Sequence, residues 1–205
     1  MIRVDRGSET GIMATMQAYI TNSIEASSIS PMESVIYGKS TSNQIERWWR
    51  ELHERLEKYF KEQLRYLKDH GLYDPQNVMD RHILAFVYIP VLEREMKNFV
   101  DSWNTHRIRR QKDTFLPIGV PNHIFDFPEN YGLEQCGSYV SDEILKKAAE
   151  MSGVLSVPSD YLPAQVRKML TDILPNSEET ETHKCVHAFL FAQKETKRII
   201  NQNES

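Results

Sequence analysis

Asp5 closes a short run of alternating apolar residues, Met1-Ile2-Arg3-Val4, and Glu46 stands in the first turn of a long helical pattern. The 40 residues between them read as a helix, a loop and a second β-prone run. If the two runs pair as neighbouring strands, the end of the first lies beside the helix that follows the second. Two carboxylates would then meet at one edge of a small sheet. Carboxylate oxygens are the hard donors that Mg²⁺ takes alongside phosphate oxygens. A two-metal site of this kind activates an attacking hydroxyl and stabilises the leaving oxygen in phosphoryl transfer. Lys39, Arg47 and Arg50 flank the acids, and cations there suit DNA phosphates. The densest basic run is Arg107, Arg109, Arg110 and Lys112, with no acid until Asp113.

Each of these residues also has a structural reading. Glu46 follows Asn43 by three positions, the spacing of a capping box. Asp5 precedes Gly7 and could cap a turn. Arg50 is one helical turn from Glu46 and could pair with it. The basic run ends a helix, where cations favour the helix dipole. His183 and His187 share a helix face at i,i+4, but without a HExxH glutamate or a CxxC motif they do not read as a zinc site.

The elements that must position these groups are mostly helical. A helix is expected from about Glu9 to Asn22, with Ile12, Met16, Tyr19 and Ile20 on one face. Ser23 to Met32 reads as a loop, and Ser34-Val35-Ile36-Tyr37 as a strand stopped by Gly38. From Gln44 to about His70, Ile45, Trp49, Leu52, Leu56, Tyr59, Phe60 and Leu67 recur at helical steps. That stripe assigns Trp49 to the core and leaves Trp48 to a neighbouring element or to solvent. Glu46/Arg50, Glu51/Arg55, Glu54/Lys58 and Glu57/Lys61 are opposed charges at i,i+4. Gly71 is the expected C-cap residue. Asp74-Pro75 is the expected start of a second long helix reaching about Thr105 and kinked at Pro90. The two helices form an antiparallel hairpin by this reading. Residues 113–140 read as an irregular wrap. Helices follow at about Asp142–Met151, Ala164–Leu174 and Thr180–Gln202, the last capped by Glu178, Glu179 and Glu181.

Composition bounds the function. The chain has 205 residues, 40% hydrophobic and 26% charged, which supports a core and argues against wholesale disorder. A net charge of −4 argues against coating nucleic acid by bulk charge, though not against a local basic groove. Cys136 and Cys185 make no CxxC pattern and no disulfide framework, so a reducing intracellular compartment is expected. The longest apolar run, Ile83–Leu92, contains Pro90 and falls well short of the roughly 20 residues of a membrane span.

Three motifs carry a resemblance. Arg3-Val4-Asp5-Arg6-Gly7-Ser8-Glu9 resembles the strand segment that bears the second catalytic acid of DDE-type integrase cores. The stretch from Tyr37 through Lys39-Ser40-Thr41-Ser42-Asn43 to Glu46-Arg47-Trp48-Trp49-Arg50 is similar to the segment bearing the third. Trp103-Asn104-Thr105-His106-Arg107 through Leu116-Pro117 resembles a distal element of the animal and fungal integrase-like group. The similarity runs over about residues 2–120.

It implies an α/β, ribonuclease H-like fold: a mixed sheet with helices on both faces. The implied activity is metal-dependent DNA cleavage and strand transfer, with Asp5 and Glu46 as ligands of Mg²⁺ or Mn²⁺. DNA is the implied partner, and the nucleus the implied location. A second copy or another protein stays open as a partner. The family's first Asp lies on a strand upstream of these motifs, and this chain begins four residues before Asp5. The expected fold is therefore truncated: two short strands, a long helical hairpin and a mostly helical C-terminal extension, inactive by itself. The expected division is a partial core at 1–120, then wrap and extension at 121–205. The alternative function is a non-catalytic DNA- or protein-binding module built on the hairpin.

Overall fold

A computed structural model of the chain describes residues 1–4, 7, 10–24, 30–38, 46–110, 117–135 and 137–203. It divides into two compact units, Met1–Arg50 with Gln135–Ser159, and Glu51–Glu134 with Asp160–Ser205. Neither unit ends at residue 120.

The first unit is built on β1 (Ile2–Val4), α1 (Thr10–Ser23) and β2 (Val35–Tyr37). The strands pair in parallel, with Ile2 opposite Val35 and Val4 opposite Tyr37. Parallel neighbours need a crossover, and α1 supplies it. Ser34 anchors the start of β2: its carbonyl accepts from Ile2 N at 2.8 Å, and its hydroxyl donates to the Pro31 carbonyl at 2.6 Å. α1 packs on β2 and on α6 (Asp142–Ser152). Ser141 caps α6, its Oγ accepting from Ile144 N. Ile12, expected on the buried face of α1, is exposed, and the buried positions of that helix are Thr10 and Thr21. The apolar and polar residues of α1 are not segregated to opposite sides, so periodicity alone could not name its inner face.

The expected long helix runs through α2 (Glu46–Leu52), a π turn at His53–Glu57 and α3 (Lys58–Asp69), and from Glu51 onward it belongs to the second unit. Leu52, Leu56, Phe60 and Leu67 are buried as the stripe requires, but Trp49 is 52% exposed and Tyr59 also faces solvent. The π turn explains the difference at Tyr59. Its i→i+5 hydrogen bonds place more residues in each turn than an α-helix has. A row at steps of four therefore stays on one face, from half-buried Trp48 through Leu52 and Leu56 to Phe60. Tyr59, three positions after Leu56, rotates off it, while Trp49 precedes the π turn and is exposed within α2 itself. The local ion pairs form as expected, with Arg55–Glu51 at 3.0 Å, Lys58–Glu54 at 3.9 Å and Lys61–Glu57 at 2.9 Å.

Gly71, with φ of +64°, closes α3 in the left-handed conformation that glycine reaches without steric cost. Helix α4 (Val78–Thr105) begins later than Asp74-Pro75. Asn77 is its cap, the side-chain oxygen accepting from Met79 N and Asp80 N at 2.8 and 3.1 Å. Asp74 instead closes a turn by accepting from Gln76 N. The helix continues through Pro90. The hairpin arms meet where Phe60 and Tyr88 pack edge to face and Tyr88 Oη donates to Gln63 Oε1 at 3.1 Å.

The C-terminal helices complete this core. α7 (Ala164–Ile173) and α8 (Cys185–Asn203) pack on α4 and on each other, burying Leu170, Cys185, Phe189 and Ala192 against Ile83, Phe86, Val87 and Val91. Buried Asp80 ties α8 to the hairpin, accepting from Gln193 Nε2 at 2.8 Å and from Asp74 N at 3.0 Å. Arg94 holds the turn before α8 by donating to the carbonyls of Glu178 and Thr180. The last helix thus starts at Cys185, not Thr180, because residues 177–179 and 182–184 form separate 3-10 turns. Residues 113–140 are less irregular than expected. Pro121 and Pro128 open a short helix, α5 (Pro121–Asp126), and a 3-10 turn at Pro128–Tyr131, their fixed φ suiting a first helical position.

Candidate functional site

Because β1 and β2 run parallel, their carboxyl ends lie at the same edge. Gly38 N donates to the Val4 carbonyl at 2.9 Å, which extends the pairing one residue past β2. Ligands of open α/β sheets bind at the carboxyl ends of the strands. Asp5 follows Val4 in the chain and lies outside the described residues, as does Lys39. Glu46 is the first residue of α2, and its carboxylate is also outside what is described. The structure thus brings the strand ends together and opens a helix at Glu46. Among the described residues no cluster of three or more His, Cys, Asp or Glu side chains is placed to hold a metal.

The sequence reading missed one residue at this edge. The Arg3 guanidinium lies over Gly38, so close that a Cβ built there would stand 2.8 Å from Arg3 Nε. Glycine in the glycine-polar-acid stretch therefore leaves room for a cation beside the strand ends. Its signal was present: Arg3 occupies the solvent-facing position of an alternating strand, directly before Val4 and Asp5.

The basic candidates fall into two groups. Arg47 and Arg50 are exposed on α2, and a spacing of three puts them on one face. Arg107, Arg109 and Arg110 follow the C-terminal end of α4 and are exposed. The chain there turns back on itself: Ile108 N donates to the Gly119 carbonyl at 2.7 Å, and Gly119 N donates to the Ile108 carbonyl at 3.2 Å. None of the three arginines makes an ion pair with a described residue, and Lys112 lies outside those residues.

His183 faces Glu181 at 3.4 Å, and Lys184 pairs with the same carboxylate. Cys185 is fully buried, and burial pushes its thiol up to about 11.

The sequence pattern of the integrase core domain family matches residues 1–124. That is more than half of the chain, and the chain belongs to this family. The match spans β1, α1, β2, the hairpin and the arginine loop, and it ends inside α5. No curated protein and no solved structure matches the chain. Among the described residues no helix is long and apolar enough to cross a membrane.

Proposed function

We propose that the chain is a mobile-element-derived integrase core whose ancestral chemistry is metal-dependent DNA strand transfer, with Asp5 and Glu46 as two of its carboxylate ligands. The observation that supports this reading is the parallel register of β1 and β2, which brings the carboxyl ends of the two strands to one edge, with Val4 opposite Tyr37. The donor chemistry fits: two carboxylates are hard oxygen ligands, and Mg²⁺ or Mn²⁺ completes its shell from water and substrate phosphates. A bound cation of that kind would activate the attacking hydroxyl and neutralise charge at the leaving oxygen. Arg3, Lys39, Arg47 and Arg50 attract and orient the DNA backbone around the acids, since phosphate contacts fix register without reading sequence. The inherited core ends near residue 120, and a DNA-directed role places the protein in the nucleus.

With two acids assigned, residues 1–205 by themselves should bind Mn²⁺ weakly and should not perform strand transfer. Calorimetric titration of Mn²⁺ should show weak binding that Asp5→Asn and Glu46→Gln each remove. Cleavage of a DNA duplex by this chain, abolished by Glu46→Gln, would overturn the inactive assignment. Unaltered Mn²⁺ binding in both variants would overturn the ligand assignment.

A second reading is a non-catalytic DNA-binding module, favoured by the exposed arginines beside the Ile108–Gly119 bridge, which make no ion pair with a described residue. Replacing Arg107, Arg109 and Arg110 by Ala should weaken DNA retention. The salt dependence should flatten by about 1 in log–log slope for each phosphate that is no longer neutralised.

A further inference from the structure

We infer that the arginine loop and the aromatic groups on either side of it form a surface for single-stranded DNA. The inference rests on the reading that the chain binds DNA, and it adds which form of DNA the surface fits. On one side of the loop, the last turns of α4 carry Phe99 and Trp103, whose rings stack with centroids 6.1 Å apart. His106 continues the row, its ring 5.0 Å from Trp103 and its Nδ1 donating to the Trp103 carbonyl. Arg107 follows directly.

On the other side, Ile108 is bridged to Gly119, and Gly119 lies against Tyr131. A Cβ at position 119 would stand 2.7 Å from the Tyr131 ring, so only glycine lets that ring reach the bridge. His123 Nδ1 and Tyr131 Oη are hydrogen-bonded at 2.7 Å, and the His123 ring lies 5.0 Å from Phe127. Phe127 is 47% exposed and Phe125 79% exposed. Phe125 and Phe127 are left in water and add nothing to a core, while Phe99, Trp103 and Tyr131 are half-buried with part of each ring accessible.

The mix of chemistries decides the ligand. Arginines alone would suit any phosphate backbone, duplex included. Asp126 and Glu129 are exposed on the aromatic side, so that flank offers a strand its rings and not positive charge. Aromatic faces flanking a cationic loop match an unpaired strand: phosphates lie on the guanidinium groups and splayed bases stack on the rings. Stacked duplex bases present no free face to such rings. The Ile108–Gly119 bridge joins the chain just after α4 to the segment that leads into α5, with Arg107 and Arg109 on either side of Ile108.

The test is fluorescence anisotropy of the full chain with labelled oligo(dT), with a duplex of equal length, and with oligo(U), at low salt. The expected result is tighter binding to oligo(dT) than to duplex. Trp103→Ala and Phe127→Ala should each weaken oligo(dT) binding about tenfold and leave duplex binding nearly unchanged. Trp103→Phe should restore most of the loss, and Phe127 is exposed enough for its removal to leave the fold intact by circular dichroism. Equal affinity for strand and duplex, sensitive to the arginines but not to Trp103 or Phe127, would overturn this inference and leave the DNA-binding reading standing. Preference for oligo(U) would overturn the assignment to DNA. Absence of binding to all three probes would overturn both.

Discussion

The unit that holds the strand ends and the unit that holds the hairpin are built on different principles. In the first, the buried described residues are small or polar: Thr10, Thr21, Ser34 and Ala148. Ile12, Met13, Ile36 and Tyr37 face solvent, as do Leu145, Val154 and Leu155. In the second, Leu52, Leu67, Ile83, Phe86, Val87, Tyr88, Val91, Leu170 and Phe189 are almost fully buried. Burying apolar surface is the dominant stabilising contribution to a fold, at roughly 25 cal/mol per Å². A two-stranded sheet with three residues in each strand contributes little by itself. The two strands therefore sit where the core is thinnest. The helical scaffold and the C-terminal helices beyond the family match carry the stability.

Three perturbations would break or sharpen this contrast. The largest effect belongs to the second core: Phe189→Ala leaves a cavity beside Tyr73 and should cost about 3–5 kcal/mol in denaturant unfolding. A cost below about 1 kcal/mol would mean that α8 is not part of the stabilising core.

Next is a pH effect in the same unit. The Arg167 guanidinium, bonded to Asp160 at 2.8 Å, and Leu162 N hold that carboxyl down to about 2, below its ordinary 3.8. A depressed carboxylate contributes stability that is present above the ordinary value and lost as pH falls through the folded one. Arg167→Met should therefore flatten the loss of stability between about pH 4 and 2 and raise the Asp160 titration midpoint seen by NMR. Arg167 also lies over the Phe86 and Tyr161 rings, so methionine keeps part of the packing. An unmoved Asp160 midpoint would count against the pair.

The smallest effect is expected in the first unit, where Ile12→Ser on exposed α1 should shift stability by no more than about 0.5 kcal/mol. A loss of several kcal/mol there would show that α1 buries Ile12 in solution, and the contrast between the units would fall.

Much of the architecture was legible locally. The two strands, the helical stretch over 46–69, the Gly71 cap and three of the i,i+4 ion pairs depend on neighbours within a few residues, and they form as read. The acidic motif was legible as pattern, and the family match covers it. The start of α4 was misread because Asp74-Pro75 and Asn77 are both competent caps three residues apart, and packing around Asp80 favours Asn77. Helix α5 was hidden by its prolines and aromatics, which read as loop signals although proline at a first position favours a helix.

By itself, then, the sequence determined the family, the two strands and the long helices. These rest on periodicity, caps and motifs, whose physics is short-range. Only the tertiary structure decided that Trp48 and not Trp49 turns inward, that α6 joins the strand unit while α7 and α8 complete the hairpin core, and that Arg3 lies over Gly38. Those outcomes depend on packing between residues far apart in the chain.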